Sequence, residues 1–219
     1  MNPAEGGRPE AYRLFIALPV PEHVKNAIER AQNELREVLS RDRVRWGGRA
    51  QFHLTLKFLG NVESRDVEAL IQALRLACEG FGNLPLRAGG IGVFPELRRP
   101  RVIWAGVHDA RERLPQLQRT VESAVAGFTA EEPERAFKGH VTLGRCKTIR
   151  RPEVERLATL VTALKKKPLG EWTAESVELV RSEPGAGGSH YTTLAAVPLA
   201  PVSASDTRSS ATTGRADRA

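Results

Sequence analysis

The sequence predicts an α+β fold made by internal duplication. Two lobes face each other, two antiparallel sheets line a central cleft, and helices pack outside. Three observations carry this. The stretch His53-Leu54-Thr55-Leu56 returns as His140-Val141-Thr142-Leu143, 87 residues on (140 minus 53). Fourteen residues after each His begins a helical apolar face: Val67, Leu70, Ile71 and Leu74 in one half, Val154, Leu157, Ala158 and Val161 in the other. Upstream, Arg13 precedes His53 by 40 residues and Val102 precedes His140 by 38, each opening a strand, then a helix, then the His strand.

The elements follow in order. Residues 1–11, polar with Gly6-Gly7 and two prolines, read as a disordered lead-in. Arg13 to Leu18 is a short apolar run stopped by Pro19 and Pro21, which suits a buried strand. From Glu22 to Leu39, Val24, Ala27, Ile28, Ala31, Leu35 and Val38 recur at helical spacing. A short strand at Val44-Arg45-Trp46 leads to the first His strand, Phe52 to Leu59. Ser64 suits the N-cap of a second helix and Gly80 its end. Strands at Leu84 to Phe94 and Val102 to Val107 flank a basic turn. A third helix spans Leu114 to Ala126, where Pro115 is tolerable only in the first turn. The second His strand runs from Ala136 to Arg145 and a fourth helix from Pro152 to Lys165. Strands at Ala174 to Arg181 and His190 to Val197 close the folded part. The duplicated domain thus occupies 12–200, and the Ser, Thr, Ala and Arg mixture of 201–219 reads as a disordered tail.

Composition narrows the classes. With 41% hydrophobic and 27% charged residues the chain is ordinary for a globular protein. No run approaches the roughly 18 apolar residues of a membrane span, and the polar opening is unlike a signal peptide, so a cytoplasmic protein with no membrane partner is expected. Cys78 and Cys146 are too few for a disulfide framework or a four-ligand zinc site and read as plain thiols. The net charge of +7 favours anionic partners.

The chemistry lies in the paired motifs. Alternation on a strand turns His and Thr to one face and Leu54, Leu56, Val141 and Leu143 to the other. Two imidazoles, one charged and one neutral near pH 7, can serve as acid and base in metal-free phosphate ester chemistry. Thr55 and Thr142 can each donate a hydroxyl hydrogen bond to a phosphate oxygen. His23, His108 and His190 read as structural. No HExxH motif, paired carboxylates or cysteine partner adjoins either motif, so neither metal nor cofactor is expected; a GxxxxGK phosphate loop is absent too. Arg145, five residues past His140, falls on the opposite face of a regular strand, so it reaches phosphate only through a bulge or a long extension. Phe15 and Tyr191 offer base-stacking rings, though strand aromatics more often serve a core.

With Arg13 to Leu18, His53-Leu54-Thr55-Leu56-Lys57-Phe58-Leu59-Gly60, Val102 to Val107 and Tyr191 to Ala195, the chain from about 12 to 199 resembles the 2H phosphoesterase superfamily. The branch it resembles most is that of the RNA 2′,3′-cyclic phosphodiesterases, also described as 2′-5′ RNA ligases. The resemblance implies hydrolysis of a 2′,3′-cyclic phosphate on RNA or a nucleotide to a 2′-phosphate, without metal; a monomer is expected. It implies His53 as general acid to O3′ and His140 as general base to water. The alternatives are reversible 2′-5′ ligation and a non-catalytic RNA-binding module. One departure is Lys138-Gly139 before His140, where the family usually has Pro; it is expected to touch no catalytic atom.

Overall fold

The computed structural model describes residues 10–39, 42–133, 136–185 and 188–199. Nine strands and four α-helices follow each other as β1 (Ala11–Pro19), α1 (Glu22–Val38), β2 (Val44–Trp46), β3 (His53–Glu63), α2 (Val67–Cys78), β4 (Leu84–Phe94), β5 (Val102–His108), α3 (Arg113–Ala124), β6 (His140–Cys146), α4 (Arg151–Ala163), β7 (Pro168–Ala174), β8 (Ser176–Gly185) and β9 (Gly188–Pro198). The expected lead-in and tail fall mostly outside the described residues, although Ala11 already belongs to β1.

The strands form one antiparallel sheet in the order β7-β4-β5-β6-β3-β1-β8-β9, with β2 paired to β6. The two sheets foreseen from the repeat are its halves, β7-β4-β5-β6 and β3-β1-β8-β9. They join at one register pair, Leu54 opposite Val141. The halves are built alike: β1 sets Ala17 opposite Thr55 and Pro19 opposite His53, while β5 sets Trp104 opposite Thr142 and Gly106 opposite His140. All four residues shift by the same 87 positions. Helices cross between halves, since α3 packs on β3 beside α2, and α1 packs on β7 and against α4. Helices α1 and α3 therefore leave one half and cover the other, while α2 packs on β9 and α4 on β4 within their own halves.

That core is continuous. Leu14, Ile16 and Leu18 of β1, Leu54 and Leu56 of β3, and Val141 and Leu143 of β6 meet Val24, Ile28 and Leu35 of α1 and Leu70 and Leu74 of α2 in one buried cluster. A smaller cluster of Phe15, Ala17 and Val180, with Tyr191 against it, lies apart from it. Strand β1 is thus buried on both faces, which explains its unbroken apolar run.

Two elements differ from the sequence pattern. Ser64 does not cap α2; it opens a 3-10 turn, Ser64–Asp66, its own N–H donating to the Glu10 carbonyl, and α2 begins at Val67. Strand β7 has no counterpart in the pattern, because Pro168 and Gly170 read as breakers. Proline is tolerated at the first residue of an edge strand, and β7 is an edge. His23 of α1 donates a ring N–H to the Glu171 carbonyl of that strand at 2.9 Å, in keeping with a structural role.

Candidate functional site

The Leu54–Val141 pair makes the two motifs meet at their middle residues. In antiparallel register this sets His53 across from Thr142 and His140 across from Thr55. Leu54 and Val141 are fully buried below; all four polar side chains are half-buried on the other face. Beyond the pair β3 leaves β6, and β2 takes its place beside Gly144 to Cys146.

Both motif strands then bulge at the same point. Opposite Ile16 and Ala17 stand Lys57 and Thr55, so Leu56 is the extra residue. Opposite Ile103 and Trp104 stand Gly144 and Thr142, so Leu143 is. An extra residue reverses the alternation beyond it. Lys57 and Gly144 are buried, and Phe58 and Arg145 emerge on the cleft side. The bulge needed to bring Arg145 to the cleft is present, and Phe58 is its counterpart in the other half, 52% exposed.

Three buried polar side chains among the described residues hold these irregular places. Gln32 of α1, 1% exposed, donates Nε2 to the carbonyl oxygens of Leu143 at 2.8 Å and Gly47 at 2.9 Å. Lys57, 6% exposed, donates Nζ to Glu122 Oε1 at 2.9 Å and to the carbonyls of Glu131 at 3.2 Å and Glu132 at 2.8 Å. Gln118 donates to the other oxygen of Glu122. Lys57 therefore ties the segment leading toward β6 to the first motif strand.

Each imidazole sits among aromatic rings. Phe15 stacks on His53 with centroids 4.6 Å apart, and Tyr191 meets it edge-on at 5.2 Å. Phe94 meets His140 edge-on at 5.1 Å, with Trp104 at 6.4 Å. Burial lowers the His53 pKa to about 4; a backbone hydrogen bond at Gln51 opposes this, and positive charge at His140 and Lys25 adds to it. Burial also lowers His140, opposed by its backbone bond to Lys138 and assisted by Arg145 and Lys138. That bond runs from Nδ1–H to the Lys138 carbonyl at 2.7 Å, which leaves Nε2 for chemistry. The Lys138-Gly139 departure thus does touch the His140 ring, through the Lys138 carbonyl. Gly139 is needed because a Cβ there would lie 2.6 Å from the Val107 carbonyl oxygen.

A cleft of about 680 Å³ opens over this floor, walled by His53, Thr55, Thr142 and Arg145 among others. His140 stands outside its wall, across the strand pair from Thr55. Phe15 and Tyr191, the candidate stacking rings, both line it, but Phe15 is 2% exposed and already stacked on His53. Arg13, Arg45, Gln51, Phe58 and Glu131 also line it and were not foreseen. Phe58 was within reach, since adding the repeat shift to 58 gives 145; Arg45 and Glu131 come from segments with no motif. Cys78 and Cys146 are free thiols, pushed up by burial to about 12 and 11. Among the described residues no three His, Cys, Asp or Glu side chains cluster as a metal site requires. None of the described helices is long and apolar enough to cross a membrane.

A duplicated α+β fold that brings two His-x-Thr strands together beneath a cleft lined by arginines defines a protein built to receive phosphate esters. The LigT-like phosphoesterase family model matches this chain twice, over residues 18–104 and 106–191, one His motif in each match. The chain belongs to that family. It is 31% identical over 184 residues to an RNA 2′,3′-cyclic phosphodiesterase of Methanothermobacter thermautotrophicus, covering 83% of this chain and 96% of the relative. It is 32% identical over 188 residues to one of Thermus thermophilus, covering 83% and 87%. Among solved structures it resembles TT0787 of Thermus thermophilus, with a TM-score of 0.69 and 28% identity over 85% of this chain and 97% of that one. It shares the fold of E. coli LigT complexed with 3′-AMP, with a TM-score of 0.65 and 24% identity over 86% and 99%.

Proposed function

We propose that this protein hydrolyses RNA 2′,3′-cyclic phosphate ends to 2′-phosphates by a two-histidine, metal-independent mechanism, as a monomer in the cytoplasm. The observation that carries the reading is the meeting of the two His-x-Thr motifs at Leu54 and Val141, each imidazole facing the other motif's threonine. The names of the relatives support the substrate class.

In the reaction, a water oxygen forms a bond to phosphorus as the P–O3′ bond breaks. His140 Nε2 takes the water proton and His53 gives one to O3′. Thr55, Thr142 and Arg145 donate to the non-bridging oxygens and stabilise their charge. The product carries a 2′-phosphate and a free 3′-hydroxyl, and the two rings have exchanged protonation states, which solvent resets. Burial favours the neutral form of His53. The acid role therefore needs the phosphate's negative charge to lift its pKa on binding.

The test is incubation of a cyclic-phosphate-terminated RNA with excess chelator. Turnover to a 2′-phosphate is expected, with His53→Ala and His140→Ala each losing about 10² to 10⁴ in rate while folded. Turnover only on adding metal rejects the mechanism. Tight binding without turnover makes the protein an RNA-binding module, and joined 2′-5′ product from matched ends makes it a ligase. A nitrophenolate leaving group needs little protonation, so it should rescue His53→Ala and not His140→Ala; the opposite pattern reverses the roles.

A further inference from the structure

Arg45 and Arg145 stand directly opposite each other where β2 pairs with β6. Like charges in that position repel. Both are exposed and both line the cleft. Arg43, Arg49, Arg65, Arg87, Arg151 and Arg181 each pair with a carboxylate, but among the described residues neither member of this pair does. The field of both, with that of Arg13, reaches the Tyr191 hydroxyl. No acidic residue adjoins the pair in sequence: Val44 and Trp46 flank one, Gly144 and Cys146 the other, and Lys147 follows, its N–H on the Arg43 carbonyl. Two such cations side by side on a cleft wall favour a bound anion.

That anion need not be the reacting phosphate. The reaction centre lies between Thr55 and Thr142, and Arg145 is three residues beyond Thr142, roughly 10 Å along a strand at about 3.3 Å per residue, less what the bulge takes up. Arg45 is held at the same level as Arg145, on β2, the strand that takes the place of β3 beside β6. In an RNA chain the next anion after the terminal cyclic phosphate is the phosphodiester on the 5′ side of the last nucleoside.

Resting on the proposed hydrolysis of cyclic ends, we infer that Arg45 binds this preceding phosphodiester, so that the cleft takes an RNA chain in preference to a free cyclic nucleotide. Arg45 is then a specificity residue: a nucleoside 2′,3′-cyclic phosphate has no group for it to hold, and a dinucleotide ending in the same cyclic phosphate has one.

The experiment compares kcat/KM for these two substrates in wild type and Arg45→Gln. The wild type should favour the dinucleotide, and the dinucleotide-to-mononucleotide ratio should fall about tenfold or more in the variant, the usual size of a charged hydrogen bond. Arg45→Lys should recover part of it. Replacing the charged diester by a neutral methylphosphonate should lower the wild-type ratio similarly, and adding Arg45→Gln should then lower it little further. An unchanged ratio, or an equal loss on both substrates, overturns the inference. Calorimetric binding of the dinucleotide 2′-phosphate to both proteins gives the same comparison without turnover. If neither substrate is hydrolysed but the binding difference appears, the proposed activity fails and the subsite stands; if the binding difference is missing, the subsite fails by itself.

Discussion

Burial of His53 couples its imidazole to the stability of the whole fold, and replacing it by glutamine isolates that coupling. A folded-state pKa of about 4 against an ordinary 6.5 means that the unfolded chain takes up a proton which the folded chain refuses. The His53 contribution is therefore intact above about pH 6.5. It is lost progressively as pH falls, until the folded state also binds the proton near pH 4. The full difference is about 3 kcal/mol, at about 1.4 kcal/mol per pH unit, and about 2 kcal/mol of it is lost between pH 7 and pH 4.5. Carboxylates titrate in the same range, so the variant is the control: His53→Gln keeps them all and removes only this proton. Urea unfolding at pH 7 and 4.5 should give a wild-type midpoint that falls about 1 M further than the variant's, for a slope of ~2 kcal/mol/M. Equal acid sensitivity in the two proteins would show that Phe15 and Tyr191 do not keep the ring neutral, and the electrostatic account of the site would fail.

Three further outcomes follow from the same geometry. Burial lowers both imidazoles and the proposed mechanism needs one proton on the pair, so kcat/KM should fall about tenfold per pH unit above neutrality; a pH–rate profile rising from pH 7 to 9 contradicts this. Lys57→Met removes the ammonium facing Glu122 and two carbonyls, and should cost about 3 kcal/mol in urea unfolding; a cost under about 1 kcal/mol means that the buried pair contributes little. Gln32→Leu deprives the Leu143 carbonyl of its side-chain donor, leaving the Gly47 N–H. It should cost about 1–3 kcal/mol and lower kcat/KM by loosening the bulge that turns Arg145 to the cleft; full activity in that variant separates the bulge from catalysis.

The fold was legible where local pattern and tertiary role agree. The apolar spacing of α1 and of the two helices after the His strands, the double-sided burial of β1 and the 87-residue repeat all appear in the structure because each reflects burial, which selects residue type directly. Strand β7 was hidden because an edge strand tolerates Pro168 and Gly170, which speak for a turn anywhere else. Arg145 was legible as a candidate yet not as a cleft residue, since period-two alternation turns it away and only the extra residue at Leu143 turns it back.

The sequence by itself determined that two like halves would each present a histidine and a threonine on one face of a strand, because alternation and repetition are properties of the chain. Tertiary structure decided what those faces meet. The single Leu54–Val141 pair sets each imidazole against the other half's threonine, and α1 and α3 each pack across onto the half they did not leave. Gln32, from a helix more than a hundred residues away in sequence, pins the bulge at Leu143, and Arg45 faces Arg145 only because β2 fills the place that β3 leaves. No spacing encodes such contacts: they join segments whose separation along the chain is unrelated to their distance in space.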